Sequence, residues 1–153
     1  MKTSPTRTPC IGICSTTSIG DAICRGCKRY AFEVIRWNAY TDAEKEAVLR
    51  RIEALTEQIL KNRFHIQWPE ALQKALDAHK IPLNPALSPY CWLHSLLQKA
   101  PLADIDPAAC GFAIVASEQG ASLVQLASVV NAELLLLCEA HFDRYYSRVN
   151  SLA

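Results

Sequence analysis

Four cysteines near the N-terminus, Cys10, Cys14, Cys24 and Cys27, constrain this chain more than any other feature. Their spacing is C-x3-C, nine residues, then C-x2-C, so two short chelating loops flank a connecting excursion. Between Cys10 and Cys27 lie only three glycines (Gly12, Gly20, Gly26) and four isoleucines (Ile11, Ile13, Ile19, Ile23), too little apolar surface for a core of its own. A metal ion bound by four thiolates supplies the missing order, because structural zinc contributes on the order of 10 kcal/mol or more, comparable to the stability of a small domain. Four-cysteine ligation serves Zn²⁺ and iron–sulfur clusters alike, and the spacing leaves both open. A closed zinc shell implies scaffolding, whereas a cluster opens electron transfer.

The cellular setting follows from the same residues. The opening MKTSPTRTPC has no apolar stretch of the length a secretory signal requires, so the chain is expected in the cytoplasm. Seven cysteines is an odd number, and in a reducing compartment clustered thiols are metal ligands more often than disulfides. Cys91, Cys110 and Cys138 stand apart among apolar neighbours and read as small core hydrophobes. The uninterrupted apolar runs, Phe112 to Ala116 and Leu134 to Cys138, are too short to cross a bilayer, so no membrane partner is expected.

Periodicity points to a mainly α-helical fold, with the four-cysteine loop packed on a helix pair and followed by a helical C-terminal region. Residues 1–9, with Pro5 and Pro9, are expected as a flexible tail, and residues 10–64 as the metal-binding module with two helices. The first helix, about Tyr30 to Ala39, places Phe32, Ile35 and Ala39 on one stripe. T-D-A-E at Thr41–Glu44 is a capping box that starts the second. That helix should end near Arg63, with Ala43, Ala47, Val48, Ile52, Leu55 and Ile59 inward. Residues 65–89 read as a helix opened by Pro69, with Leu72, Ala75 and Leu76 inward, and a linker containing Pro82, Pro85 and Pro89. In the helical region 90–153, Tyr90–Lys99 is one helix, Asp106-Pro107 resembles a helix start, and Ser122–Val149 is mostly helical. Leu123 to Val130 also fits a strand.

The segments TPCIGIC, CRGCKR, FEVIRW and TDAEKEAVLRRI resemble the bacterial DUF1289 family, a domain of unknown function, over about residues 8–54. The family's C-x-G-C-x-R is matched by Cys24, Gly26, Cys27 and Arg29, and its tryptophan by Trp37. Tyr30 and Tyr40 stand where the family commonly has Thr and Met. Members are labelled predicted iron–sulfur proteins, so the resemblance implies a cysteine-bound metal or cluster and names no reaction.

Residues 1–64 carry eleven Lys/Arg against seven Asp/Glu, and residues 65–153 carry five against eight. Arg25, Lys28 and Arg29 form the basic cluster that would meet an anionic partner such as RNA. They also offset the formal charge of a four-thiolate zinc site, and that local role is the preferred reading. His65, His79, His94 and His141 form no H-E-x-x-H, and there is no P-loop, dinucleotide fingerprint or G-x-S-x-G, so no catalytic residues are assigned. The expected role is a metal-binding accessory module for a protein partner or self-association. An iron–sulfur redox or sensor protein is the alternative, and an RNA-binding accessory protein the third reading.

Overall fold

The computed structural model describes residues 14–147. It is mainly helical, and the described residues form two compact units, one drawn from residues 14–52 and 135–147 and the other from Glu53–Leu134. The expected tail 1–9 and Cys10 lie outside the described residues.

In the first unit, α1 (Ser15–Ile19) ends at Gly20, which takes the left-handed conformation (φ 75°) and returns its amide to the carbonyls of Ser15 and Thr16. Helix α2 (Ala31–Arg36) runs into a 3-10 turn at Trp37–Ala39. Its inward face is not the expected stripe of Phe32, Ile35 and Ala39, since Ile35 is 74% exposed. Glu33 and Trp37, one helical turn apart, are buried instead. A carboxylate occupies the interior because it has partners there: it accepts the Tyr30 amide at 2.8 Å and receives Arg51. Helix α3 (Asp42–Lys61) begins at the expected capping box, with Thr41 Oγ1 accepting from the Glu44 amide and Glu44 Oε1 accepting from the Thr41 amide, both at 3.2 Å. Its buried positions are Val48 in the first unit and Thr56, Ile59 and Leu60 in the second, whereas Ala43 and Ala47 are exposed.

The second unit departs from an all-helical reading. Phe64–Ile66 forms β1 and Phe112–Ile114 forms β2, paired antiparallel with Phe64 opposite Ile114 and Ile66 opposite Phe112. The buried rings of Phe64 and Phe112 meet edge to face at 5.8 Å. Asp106-Pro107 opens a tight turn rather than a helix. The amide of Phe112 donates to Pro107 O, and Gly111 at φ 78° redirects the chain into β2. A side chain at Gly111 has no room, because its Cβ would lie 2.2 Å from the Trp68 carbonyl oxygen.

Helix α4 (Pro69–Ala78) starts at the expected first-turn proline and buries Leu72 and Leu76. Helix α5 (Pro89–Lys99) is capped by Ser88, whose Oγ accepts from the Tyr90 amide at 3.2 Å; its Leu93, Leu96 and Leu97 join this core. The proline-containing segment between these helices is anchored within the unit, with Ile81 buried and Asn84 O accepting from Trp92 Nε1 at 2.9 Å. Arg63 bridges Glu118 and Glu133.

Leu123–Phe142 forms α6, helical throughout, and Asp143–Ser147 continues it as a π-helical turn. Because the helix runs unbroken over many turns, the span Leu123–Tyr146 is long and apolar enough to cross a bilayer by length and composition, which the short apolar runs alone did not suggest. Its Leu126, Val130, Leu134 and Cys138 are buried inside the protein.

Candidate metal centre

Residues Ile23 to Tyr30 form a chain reversal. Ile23 and Tyr30 bridge antiparallel, the Cys24 amide donates to Arg29 O at 2.9 Å, and the Lys28 amide donates to Cys24 O at 2.8 Å. Cys24 and Cys27 therefore sit at the two sides of one turn. The left-handed residue that closes it is Lys28 (φ 67°) rather than the glycine, Gly26. Lys28 tolerates that conformation because its buried side chain ties the turn together, with Nζ donating to the carbonyls of Arg25 and Gly26.

Both sulfurs are buried and surrounded by donors. Burial works to raise the Cys24 thiol, but the amides of Cys27, Ser15 and Gly26 and the side chain of Cys27 outweigh it and bring the pKa down to about 6. At Cys27 burial prevails and the thiol is pushed up, although Arg29 directs both its backbone amide and its side chain at the sulfur. The Arg29 Nε lies 3.3 Å from Cys27 Sγ, and its guanidinium lies 4.8 Å from the centre of the Trp37 ring.

Behind the turn stands a supporting cluster. Arg51 grips Glu33 through two hydrogen bonds of 2.7 and 2.6 Å, and its guanidinium lies 4.0 Å above the ring of Tyr30. Tyr30 is fully buried, hydrogen-bonds His141 Nδ1 at 3.0 Å, and meets Phe142 edge to face. Burial pushes the Tyr30 phenol up to about 12 despite the Arg51 charge. Cys138 faces the field of Lys28 and Arg51, but burial dominates and pushes its thiol up to about 11. None of Glu33, Arg51 and His141 was singled out as a supporting residue by sequence reasoning. The readable signal was a charged residue, Arg51, three positions after the inward Val48 and so on the same side of an amphipathic helix.

Among the described residues, no three His, Cys, Asp or Glu side chains gather closely enough to hold a metal ion. Cys24 and Cys27 are brought together. Cys14 is half-buried at the start of α1, and its neighbour Ser15 reaches the turn twice, through its amide toward Cys24 and through Oγ, which accepts from the Arg25 amide at 2.8 Å. Cys10 lies outside the described residues. The donor chemistry fits a metal: a guanidinium buried against a protonated thiol is poorly compensated, and a metal-bound thiolate at Cys27 would meet its charge. Of the basic residues expected to face an anionic partner, Arg25 is exposed and ion-paired with Asp21 at 3.0 Å, whereas Lys28 and Arg29 are buried. The lone cysteines are buried as expected; Cys91 has its thiol pushed up to about 12 by burial and by Glu53 and Glu57.

A family model described as "Protein of unknown function (DUF1289)" matches residues 8–56. The uncharacterized protein YdhL of an Escherichia coli strain is 38% identical over 65 residues, covering 42% of this chain and 75% of that protein. The chain belongs to the DUF1289 family. YdhL proteins of a second Escherichia coli strain and of Shigella flexneri are each 46% identical over 46 residues, 30% of this chain and 56% of theirs. No solved structure matches. The DUF1289 segment contains all four clustered cysteines together with Arg29, Glu33, Trp37 and Arg51, so the turn and the residues of α2 and α3 that support it fall within one matched stretch.

Proposed function

We propose that this DUF1289 protein is a metal-binding protein whose Cys10, Cys14, Cys24 and Cys27 hold one structural Zn²⁺, and that the module so stapled serves to bind another protein. The observation that carries the reading is the turn at Cys24–Cys27, where backbone amides and a buried guanidinium converge on two adjacent sulfurs. Donors aimed at sulfur stabilise thiolates, the form in which cysteine ligates metal. Four thiolates around zinc leave no open coordination position, which suits scaffolding rather than hydrolysis. The exposed Ile19 and Ile35 of the first unit offer apolar contact area to a protein partner.

Alkylation of the folded, reduced protein, read peptide by peptide in a mass spectrometer, tests the ligand assignment. Cys14 is the informative position, because it is only half-buried. The expected result is that Cys14 and Cys10 stay unmodified until a chelator is added, while the buried Cys91 and Cys138 stay unmodified throughout. Equal reaction of Cys14 with and without chelator would remove it from the ligand set.

A further inference from the structure

We infer that Arg29, seated on Trp37, is the positioning residue of the metal site, supplying a charge-assisted hydrogen bond to Cys27 Sγ when that sulfur ligates the metal. The inference rests on the four-cysteine reading and concerns how that site is tuned. Arg29 and Trp37 are 3% and 5% exposed, so the guanidinium has exchanged water for an indole face and a sulfur. Its Nε–H points at Cys27 Sγ at 3.3 Å, while its Cζ lies 4.8 Å from the centre of the Trp37 ring. The backbone amide of Arg29 serves the same sulfur, and its carbonyl accepts from the Cys24 amide, so one residue fixes both sides of the turn.

A buried cation is stable when an anion faces it, and a hydrogen bond between a guanidinium and an anion is about twice as strong as a neutral one. Trp37 fixes the plane of the guanidinium through a cation–π contact, which directs Nε–H at the sulfur rather than leaving it to swing. In a four-thiolate zinc site of formal charge −2, Arg29 lowers the electron density on one ligand and offsets part of the negative charge of the whole.

The test compares Arg29→Gln and Arg29→Lys with the unaltered full chain. Zinc affinity is measured by competition with a coloured chelator, and the ligand field is read after loading with cobalt. Arg29→Gln is expected to weaken zinc binding by about 10–100-fold, the usual effect of removing a partner of a metal ligand. Its thiolate-to-cobalt charge-transfer band should move to lower energy, because the sulfur becomes more electron-rich. Arg29→Lys, which keeps the charge and an N–H donor, should recover most of the affinity and the band position. Equal losses in both variants with no band movement would make Arg29 a packing residue and overturn the inference, as would two variants indistinguishable from the unaltered protein. If Arg29→Gln does not fold, the unaltered protein loaded with cadmium decides. Scalar coupling from the metal through Cys27 Sγ to the Arg29 Nε proton supports the inference, and its absence overturns it. An unaltered protein that takes up none of these ions defeats the four-cysteine reading itself.

Discussion

Replacing Cys24 and Cys27 together with serine is expected to abolish metal retention and to unfold the segment around the turn, with a loss on the order of 10 kcal/mol, the scale of structural zinc binding. Hydroxyl groups do not substitute for thiolates at zinc, and the connecting residues between Cys14 and Cys24 have little apolar surface to keep them in place. The second unit has its own core, including Leu60, Phe64, Leu72, Leu76, Leu93, Leu96 and Phe112, none of which depends on sulfur ligation. Limited proteolysis should therefore cut the double variant readily within residues 14–36 and leave Glu53–Leu134 protected. A variant as resistant as the unaltered chain would show that the turn is held without metal.

Arg51→Met is expected to destabilise the first unit by about 3–5 kcal/mol, the usual cost of removing one partner from a buried ion pair. Glu33 is 3% exposed, so losing its two hydrogen bonds to Arg51 leaves a carboxylate in the interior. Its remaining tie to the Tyr30 amide satisfies part of one oxygen. The same substitution removes the cation from the face of Tyr30. Combining it with Glu33→Gln should cost much less than the sum of the two single changes, because the second change removes the charge that the first left stranded. Hydrogen exchange of amides 31–36 reads this directly. Additive effects would mean that the pair contributes nothing as a pair.

Several parts of this structure could be read from the chain because their causes are local. The T-D-A-E box, Pro69 at the first turn of α4 and the helix beginning beside Pro89 each depend on backbone groups within four residues of one another. The two strands escaped notice because each is three residues long and its partner lies far along the chain, so neither run carries a strand signal alone. Leu123 to Val130, for which a strand was the alternative to the expected helix, is helical as part of the much longer α6. Asp106-Pro107 mimics a helix start, but Gly111 beyond it turns the chain before a helix can propagate.

The inward face of α2 departs from its apolar stripe for a different reason. Apolar periodicity selects Phe32, Ile35 and Ala39, whereas Glu33 is buried by an arginine eighteen residues away, a long-range pairing that hydropathy does not register. At the site the spacing identified Cys24 and Cys27 as neighbours, and the structure places them on one turn. Of the three basic residues read from the sequence as charges beside the cysteines, Lys28 and Arg29 are buried, with Arg29 on Cys27, whereas Arg25 is exposed and pairs with Asp21. Cys10 rests on spacing alone, and Cys14 on spacing and on the contacts of its neighbour Ser15 with the turn.

The most direct test of the account is the metal content of protein purified without oxygen, taken with its ultraviolet–visible spectrum. One zinc per chain with no visible absorbance is the predicted result. Iron with acid-labile sulfide and a brown chromophore would contradict structural zinc and make the same cysteines a redox or sensing centre. Protein that holds neither metal, with Cys14 freely reactive, would contradict the four-cysteine site altogether.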